Sequence, residues 1–246
     1  MSREVIIVGG LSILSFLSGM LGLGVAFAAI PFLGLFMNDL VHQVQPLSLT
    51  LNGVTALFAT FGFARSGYMD WKKAFLLAVA TTLSAPVGAL LAQHIEQKAI
   101  WVIYFVSVAY LAYRLFKPVK GEAAAEPRFA LALALAVPIS ILSGLLGVGP
   151  GFLLMPTLIL VGFDPKMAAG INAFAVTPPS FSALVPHLRT AHWEPGVTLW
   201  CIVVGILFSY AGAKVTSVYV PSQRLKQLFG VLIVIVTLYK ITTLLR

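Results

Sequence analysis

The chain has 246 residues, of which 59% are hydrophobic and only 10% charged, with 16 Lys and Arg against 8 Asp and Glu and a formal net charge of +8. A soluble domain carries about a quarter charged residues, so this chain cannot cover a water-facing surface and a bilayer must be most of its solvent. The basic excess then reads as loops facing anionic headgroups rather than as a nucleic-acid surface, and the single Cys201 excludes an internal disulfide and a cysteine-cluster metal site.

In chain order, the first charge-poor run is Val5–Met37, 33 residues long. As one straight helix it would extend about 50 Å across a hydrocarbon core of about 30 Å. It lacks the strong basic start and the A-x-A-like cleavage site of a secretory leader, and it continues past leader length. Gly19, Gly22 and Gly24 cluster at its middle, ahead of Pro31. Glycine weakens helix and admits left-handed backbone, so the run is predicted to form two half-helices joined by a glycine tip inside the membrane, a re-entrant hairpin. Close helix packing through Gly19 and Gly22 is the plainer alternative. Irregular backbone at that depth is tolerated only where protein or water surrounds it. A tip would aim backbone N–H groups, and the positive end of the second half-helix, at the protein centre, a setting that suits an anion. Ser18 places a hydroxyl just before the tip, for the tip itself or for a ligand.

Gln45–Ala64 is the next span. Gln45 sits at its membrane edge, and Asn52 lies in otherwise apolar surroundings with Thr50 and Thr55 beside it. An unpaired amide in hydrocarbon costs several kcal/mol, so Asn52 should face the interior, either binding an oxyanion or pinning the hairpin. The threonines are weaker candidates, because threonine often bonds its own helix. Arg65-Ser-Gly-Tyr-Met-Asp70 follows as a turn. Arg65 has the donor fork that suits oxyanions, although an arginine at this depth more often anchors to headgroups. Asp70 is expected to cap the next helix or pair locally, and Trp71 to join an aromatic belt. Ala74–Ala92 and Ile100–Phe116 are plain spans, and Lys117–Arg128 is a mixed-charge, alanine-rich linker with Pro118, Gly121 and Pro127.

Phe129–Phe163 is again too long for one crossing. It carries Ser143, Gly144, Gly147, Gly149, Pro150 and Gly151 at its middle, with Pro156 beyond. Met167–Val185 holds Asn172 and Thr177, and Pro178-Pro179 is expected to break the helix there, as a packing kink or as a gate. Arg189-Thr-Ala-His-Trp-Glu194 forms the following turn, with Trp193 at belt height. His42 and His187 fall at membrane edges. Gly196–Ala213 and Leu228–Leu245 complete the chain.

The two long runs are copies. Ser18–Pro31 aligns with Ser143–Pro156 at a spacing of 125, identical at Ser, Gly, Leu, Gly, Gly, Phe and Pro. Asn52 then answers Asn172, Arg65–Asp70 answers Arg189–Glu194, and Gly88-Ala answers Gly212-Ala. The reading is one membrane domain, 1–246: an all-α polytopic protein with repeat one at 1–116, linker 117–128 and repeat two at 129–246. Each repeat opens with a glycine-broken helix pair and continues with three transmembrane helices. Whether the long runs turn back or cross fully, 11 of the 16 basic residues fall on one side, which should be cytoplasmic. Charge therefore does not choose between the two. Segment length favours hairpins, which make the repeats inverted and put both termini in the periplasm. Duplicated architecture is usual in secondary transporters, whose sites form at the repeat interface near the midplane.

Gly19-x-x-Gly-x-Gly with Pro31, its second copy, and Arg65-Ser-Gly-Tyr-Met-Asp-Trp71 resemble the TauE/SafE family of sulfite and organosulfonate transporters over nearly the whole chain. The resemblance implies a duplicated bundle of seven or eight helices acting as a permease, often an exporter, for sulfite, sulfonates or related small anions. The departures are a first tip without a run of glycines, Pro150 inside the second tip, and a second loop lacking the glycine and the Asp-Trp pair.

The function expected is a secondary transporter, an exporter, of a small anion, in the inner membrane of a bacterial-type cell. The substrate site is placed at Ser18, Gly22, Gly24, Asn52, Ser143, Gly147, Gly149, Gly151, Asn172 and Thr177. A passive anion channel built on the same tips is the alternative. An intramembrane protease would need a serine facing His187, the one plausible partner for it. No P-loop, metal spacing or nucleophile–base pair is legible, so neither enzyme activity nor a cofactor is expected. The anion, the direction of transport, the coupling ion and the oligomeric state, a homodimer included, are left open by the sequence.

Overall fold

The computed structural model describes residues 3–96 and 127–222, with single residues within 98–113 and 224–231. The predicted spans Ile100–Phe116 and Leu228–Leu245 and the linker Lys117–Arg128 lie wholly or largely outside them. All regular structure among the described residues is helical: α1 (Arg3–Leu21), α2 (Ala26–Leu33), α3 (Gln45–Ala64), α4 (Trp71–Ala92), α5 (Phe129–Leu146), α6 (Gly151–Leu160), α7 (Pro165–Leu184) and α8 (Pro195–Tyr219). A π-helical turn, Leu40–Val44, leads into α3, and a 3₁₀ turn, Val185–His187, follows α7. Among the described residues, six helices, with these turns included, are long and apolar enough to cross a bilayer. The protein is a multi-pass membrane protein.

Carboxylates set several helix starts. Asp70 accepts from Lys73 N at 3.1 Å, and Asp164 from Lys166 N at 2.9 Å. Asp39 accepts from the N–H groups of Val41 and His42 at the π turn. Each satisfies a donor that a helix start otherwise leaves bare. Glu194 precedes α8 without a side-chain cap bond and instead meets Arg3 at 3.4 Å.

Of the six long helices, α3 and α7 are the most buried, and they pack against each other at the centre. α3 also packs on α8, and α7 on α4, while α1 lies against α8 and α5 against α4. Backbone meets backbone where glycine permits it. A Cβ on Gly19 would collide with Ser209 backbone and one on Gly144 with Ala85, while Gly212 faces Phe16 and Gly88 faces Ile141. With no hydrophobic drive between helices in lipid, such close approach is the main source of packing energy.

The expected break at Pro178-Pro179 does not occur, because α7 runs through both prolines to Leu184. A proline frees the carbonyl four residues back, and neighbours supply substitutes. Thr81 Oγ1 lies 3.1 Å from Ala175 O, the acceptor freed by Pro179, although its one proton is shared with Leu77 O at 2.8 Å. In α4, which likewise continues through Pro86, Ser182 Oγ donates to the freed Thr82 O at 2.9 Å. Two residues expected at run ends are covered by protein. Gln45 and His187 are buried, with Gln45 Nε2 donating to Leu145 O at 3.2 Å and His187 Nδ1 lying 3.1 Å from Val41 O.

Candidate functional site

Both glycine clusters form the same turn. Helix α1 ends as Gly22 N donates to Gly19 O and Leu23 N to Ser18 O, at 3.2 and 3.1 Å. Helix α5 ends as Gly147 N donates to Gly144 O and Val148 N to Ser143 O, at the same two distances. This is the paired closure of a helix C-terminus that requires a left-handed residue. Gly22 and Gly147 supply it with φ of 63° and 69°, and Gly24 and Gly149, at 72° and 69°, turn the chain again into α2 and α6. Four left-handed positions inside two apolar runs explain why glycine stands there.

The two tips meet. A Cβ on Gly24 and one on Gly149 would both strike the side chain of Asn52, and one on Gly151 would meet Leu23 O at 2.5 Å. Asn52 Oδ1 accepts from Ala26 N at 2.9 Å, while its Nδ2 donates to Ser180 Oγ at 2.8 Å. Asn172 Nδ2 donates to Gly22 O at 2.7 Å and lies 3.2 Å from Gly151 O, so one amide bridges both tips. The reverse amide orientation would set oxygen against two carbonyls, which fixes the assignment. Phe27 and Phe152, 125 positions apart, stack with ring centroids at 5.3 Å and planes 10° apart.

The tips are not chemically alike. Val25 N donates to Thr55 Oγ1 at 3.2 Å. At the corresponding place in the second tip stands Pro150, which has no N–H, and Ala175 stands where Thr55 would be. Donor and acceptor disappear together, so neither is left unpaired in the core. Ser18 Oγ, Ser143 Oγ and Asn172 Oδ1 are buried without a hydrogen-bond partner among the described residues.

The structure thus brings together Gly22, Gly24, Gly149, Gly151, Asn52 and Asn172. Gly147 closes its tip against the Gln45 side chain. Ser18 and Ser143 are buried at the bases of the tips, with their carbonyls engaged. Thr177 bonds its own helix at Ala173 O, 3.0 Å away, as does Thr50 at Pro46 O. Ser180, Gln45 and the Phe27–Phe152 pair were not anticipated as part of this region. The phenylalanines carried a signal, being among the identities of the duplicated motif. Ser180 and Gln45 carried none, since only the tertiary fold sets them beside a tip. The centre is built from backbone dipoles, amides and hydroxyls, with no Lys, Arg, Asp or Glu in the tips. Among the described residues no group of three His, Cys, Asp or Glu could hold a metal. Arg189 is exposed, and exposed Arg65 donates to Tyr210 Oη at 2.8 Å.

An all-helical, multi-pass bundle with a neutral polar centre made of two glycine turns is the framework of a membrane transport protein. The sulfite exporter TauE/SafE family model matches residues 6–240, and the chain belongs to that family. It is 22% identical over 249 residues to a probable membrane transporter protein of Xylella fastidiosa (strain 9a5c), covering 96% of this chain and 94% of that one. It is also 27% identical over 209 residues to a probable membrane transporter protein of a Sinorhizobium species, covering 80% and 77%. A probable membrane transporter protein of Methanocaldococcus jannaschii shares 28% identity over 110 residues, 41% of this chain and 40% of that one. No solved structure matches the chain.

Proposed function

We propose that the protein is a secondary transporter, an exporter, of a small anion of the sulfite or organosulfonate class, and that it binds the anion where the two glycine tips converge on Asn52. The convergence is the observation that carries the reading. The buried hydroxyls of Ser18 and Ser143 and the side-chain amides of Asn52 and Asn172 supply donors without a cation, and the N–H groups of Val25 and Ala26 add to them if Thr55 and Asn52 release them. A dipolar site can hold an oxyanion yet release it more readily than a buried arginine would. Asn52 and Asn172 hold the tips in contact, and their Nδ2 groups turn to the anion when it binds, Asn52 giving up Ser180 Oγ and Asn172 a tip carbonyl.

In this reading the repeats are inverted, and α1–α2 and α5–α6 are re-entrant hairpins opening to opposite sides. Two closures support it. Arg3 Nη2 donates to Phe36 O at 2.9 Å, tying the entry of the first unit to its exit, and Arg128 N donates to Val161 O at 2.9 Å, doing the same for the second. The stacked phenylalanines and the Asn172 bridge fill the space between the tips, which favours a carrier that opens by moving parts over a continuously open channel.

Purified protein in liposomes tests the proposal. Saturable uptake of labelled sulfite with counterflow is expected, and unsaturable flux would make the protein a channel. Gly24→Leu and Gly149→Leu should abolish saturable uptake in protein that still inserts. Asn52→Leu and Asn172→Leu should each weaken sulfite binding by about 1–3 kcal/mol in calorimetry. Wild-type affinity in all four variants would move the site away from the tips.

A further inference from the structure

A groove of about 300 Å³ lies between α3 and α8, lined by Phe58, Phe61, Ile206 and Leu207, with Arg65 and Tyr210 at one end. That volume is at the lower limit of ligand clefts, roughly 300–1,000 Å³. Its walls are open to the outside of the bundle, with Phe61 48% and Leu207 61% exposed. Unlike an ordinary lipid-facing furrow, it ends in a directed polar pair. The Arg65 guanidinium donates to Tyr210 Oη at 2.8 Å and lies 5.9 Å from the ring centroid. Arg65 has no carboxylate partner among the described residues, whose ion pairs are Arg3–Glu194, His42–Asp39 and Lys73–Asp70. One of its five N–H donors serves Tyr210. The tyrosine hydroxyl, accepting from arginine, keeps its own proton to donate outward.

We infer that this groove is a binding site for one anionic phospholipid, with an acyl chain along Phe58, Phe61, Ile206 and Leu207 and the phosphodiester on Arg65 and Tyr210. Charge supports this occupant. In the topology read from the sequence, Arg65 falls on the side expected to hold 11 of the 16 basic residues and so to face the negatively charged cytoplasmic leaflet. Guanidinium recognises phosphate through paired, charge-assisted hydrogen bonds. A zwitterionic headgroup would bring a second cation towards the Arg65 guanidinium, whereas phosphatidylglycerol would not. The site is independent of the transported anion, since Arg65 lies outside the tips.

Native mass spectrometry of the full chain in mild detergent tests it, with equimolar phosphatidylglycerol and phosphatidylcholine of equal chain length. The wild-type monomer should retain phosphatidylglycerol about tenfold over phosphatidylcholine, the scale of one charge-assisted contact. Arg65→Gln should bring the ratio near one, and Tyr210→Phe should lower it severalfold. Leu207→Trp, which fills the groove, should lose both lipids while the protein stays monodisperse. An unchanged ratio in Arg65→Gln would overturn the inference. So would a lipid-free dimer in the wild type that Leu207→Trp dissociates, which would give the groove to a second copy of the chain.

Discussion

Replacing Asn52 and Asn172 in turn by leucine, which has the same branched skeleton of side-chain heavy atoms but bulkier methyl ends, separates two amides that the sequence presents as equals. Asn52 accepts from Ala26 N and donates to Ser180 Oγ, both in fully buried surroundings. Asn52→Leu leaves the Ala26 N–H without an acceptor, at about 1–3 kcal/mol, and removes one further bond worth about 0.5–1.5 kcal/mol. A loss of about 2–4 kcal/mol follows. Asn172 donates only, to carbonyls of Gly22 and Gly151 that each have a second lone pair, while its own Oδ1 is already unpartnered. Asn172→Leu loses those bonds but also removes a buried orphan oxygen, so about 0–2 kcal/mol is expected. Thermal unfolding of the purified variants in one detergent, followed by tryptophan fluorescence, measures both. At about 2–4 °C per kcal/mol for a chain of this size, Asn52→Leu should melt on the order of 10 °C below wild type and Asn172→Leu only a few degrees below. Equal shifts, or the reverse order, would refute the pairing on which the asymmetry rests.

Four further outcomes are expected. A C-terminal reporter that fluoresces only in the cytoplasm should stay dark, with a periplasmic phosphatase fusion active; a bright signal would discard the inverted hairpins. Gly88→Ala should cost roughly 1–3 kcal/mol or more by pushing α4 off Ile141 backbone, whereas Gly9→Ala, with open space around it, should gain about 0.5–1 kcal/mol; circular dichroism melts compare them. Asp70 is held below its ordinary value of 3.8, because hydrogen bonds to Lys73 and its ammonium charge outweigh the upward push of burial. Its stabilisation is therefore present above that value and lost as pH falls through the lower folded one, so Asp70→Asn should flatten the acid limb of a stability–pH curve. Thr55→Val should cost about 1–3 kcal/mol by stripping Val25 N of its acceptor, while Ala175→Thr, opposite Pro150, should bring no gain in melting temperature.

Much of this arrangement was legible because membrane chemistry leaves few choices. Excess length plus glycine spacing marked both turns, and an amide in each of two apolar helices marked the centre. Asp70 was expected to cap its helix and does. What the sequence hid is pairing. A lone Asn states that it needs partners but not whether they are donors or acceptors, so Asn52 and Asn172 looked alike until their neighbours were known. Pro178-Pro179 looked like a break because a proline's local cost is visible in sequence, whereas the hydroxyl that offsets it comes from another helix. His187 and Gln45 looked interfacial because their positions at run ends say nothing of what covers them.

The hydroxyls beside the prolines tie the motion of two helices together. Ser182 of α7 fills the acceptor that Pro86 opens in α4, and Thr81 of α4 reaches the one that Pro179 opens in α7. Each helix thus supplies a polar group at the other's defect, like two combs with matching missing teeth. Sliding or rotating α4 against α7 by one residue would expose bare carbonyls in hydrocarbon, at several kcal/mol apiece. These contacts couple α4 and α7, so a displacement that separates them at the prolines must first replace both hydroxyls.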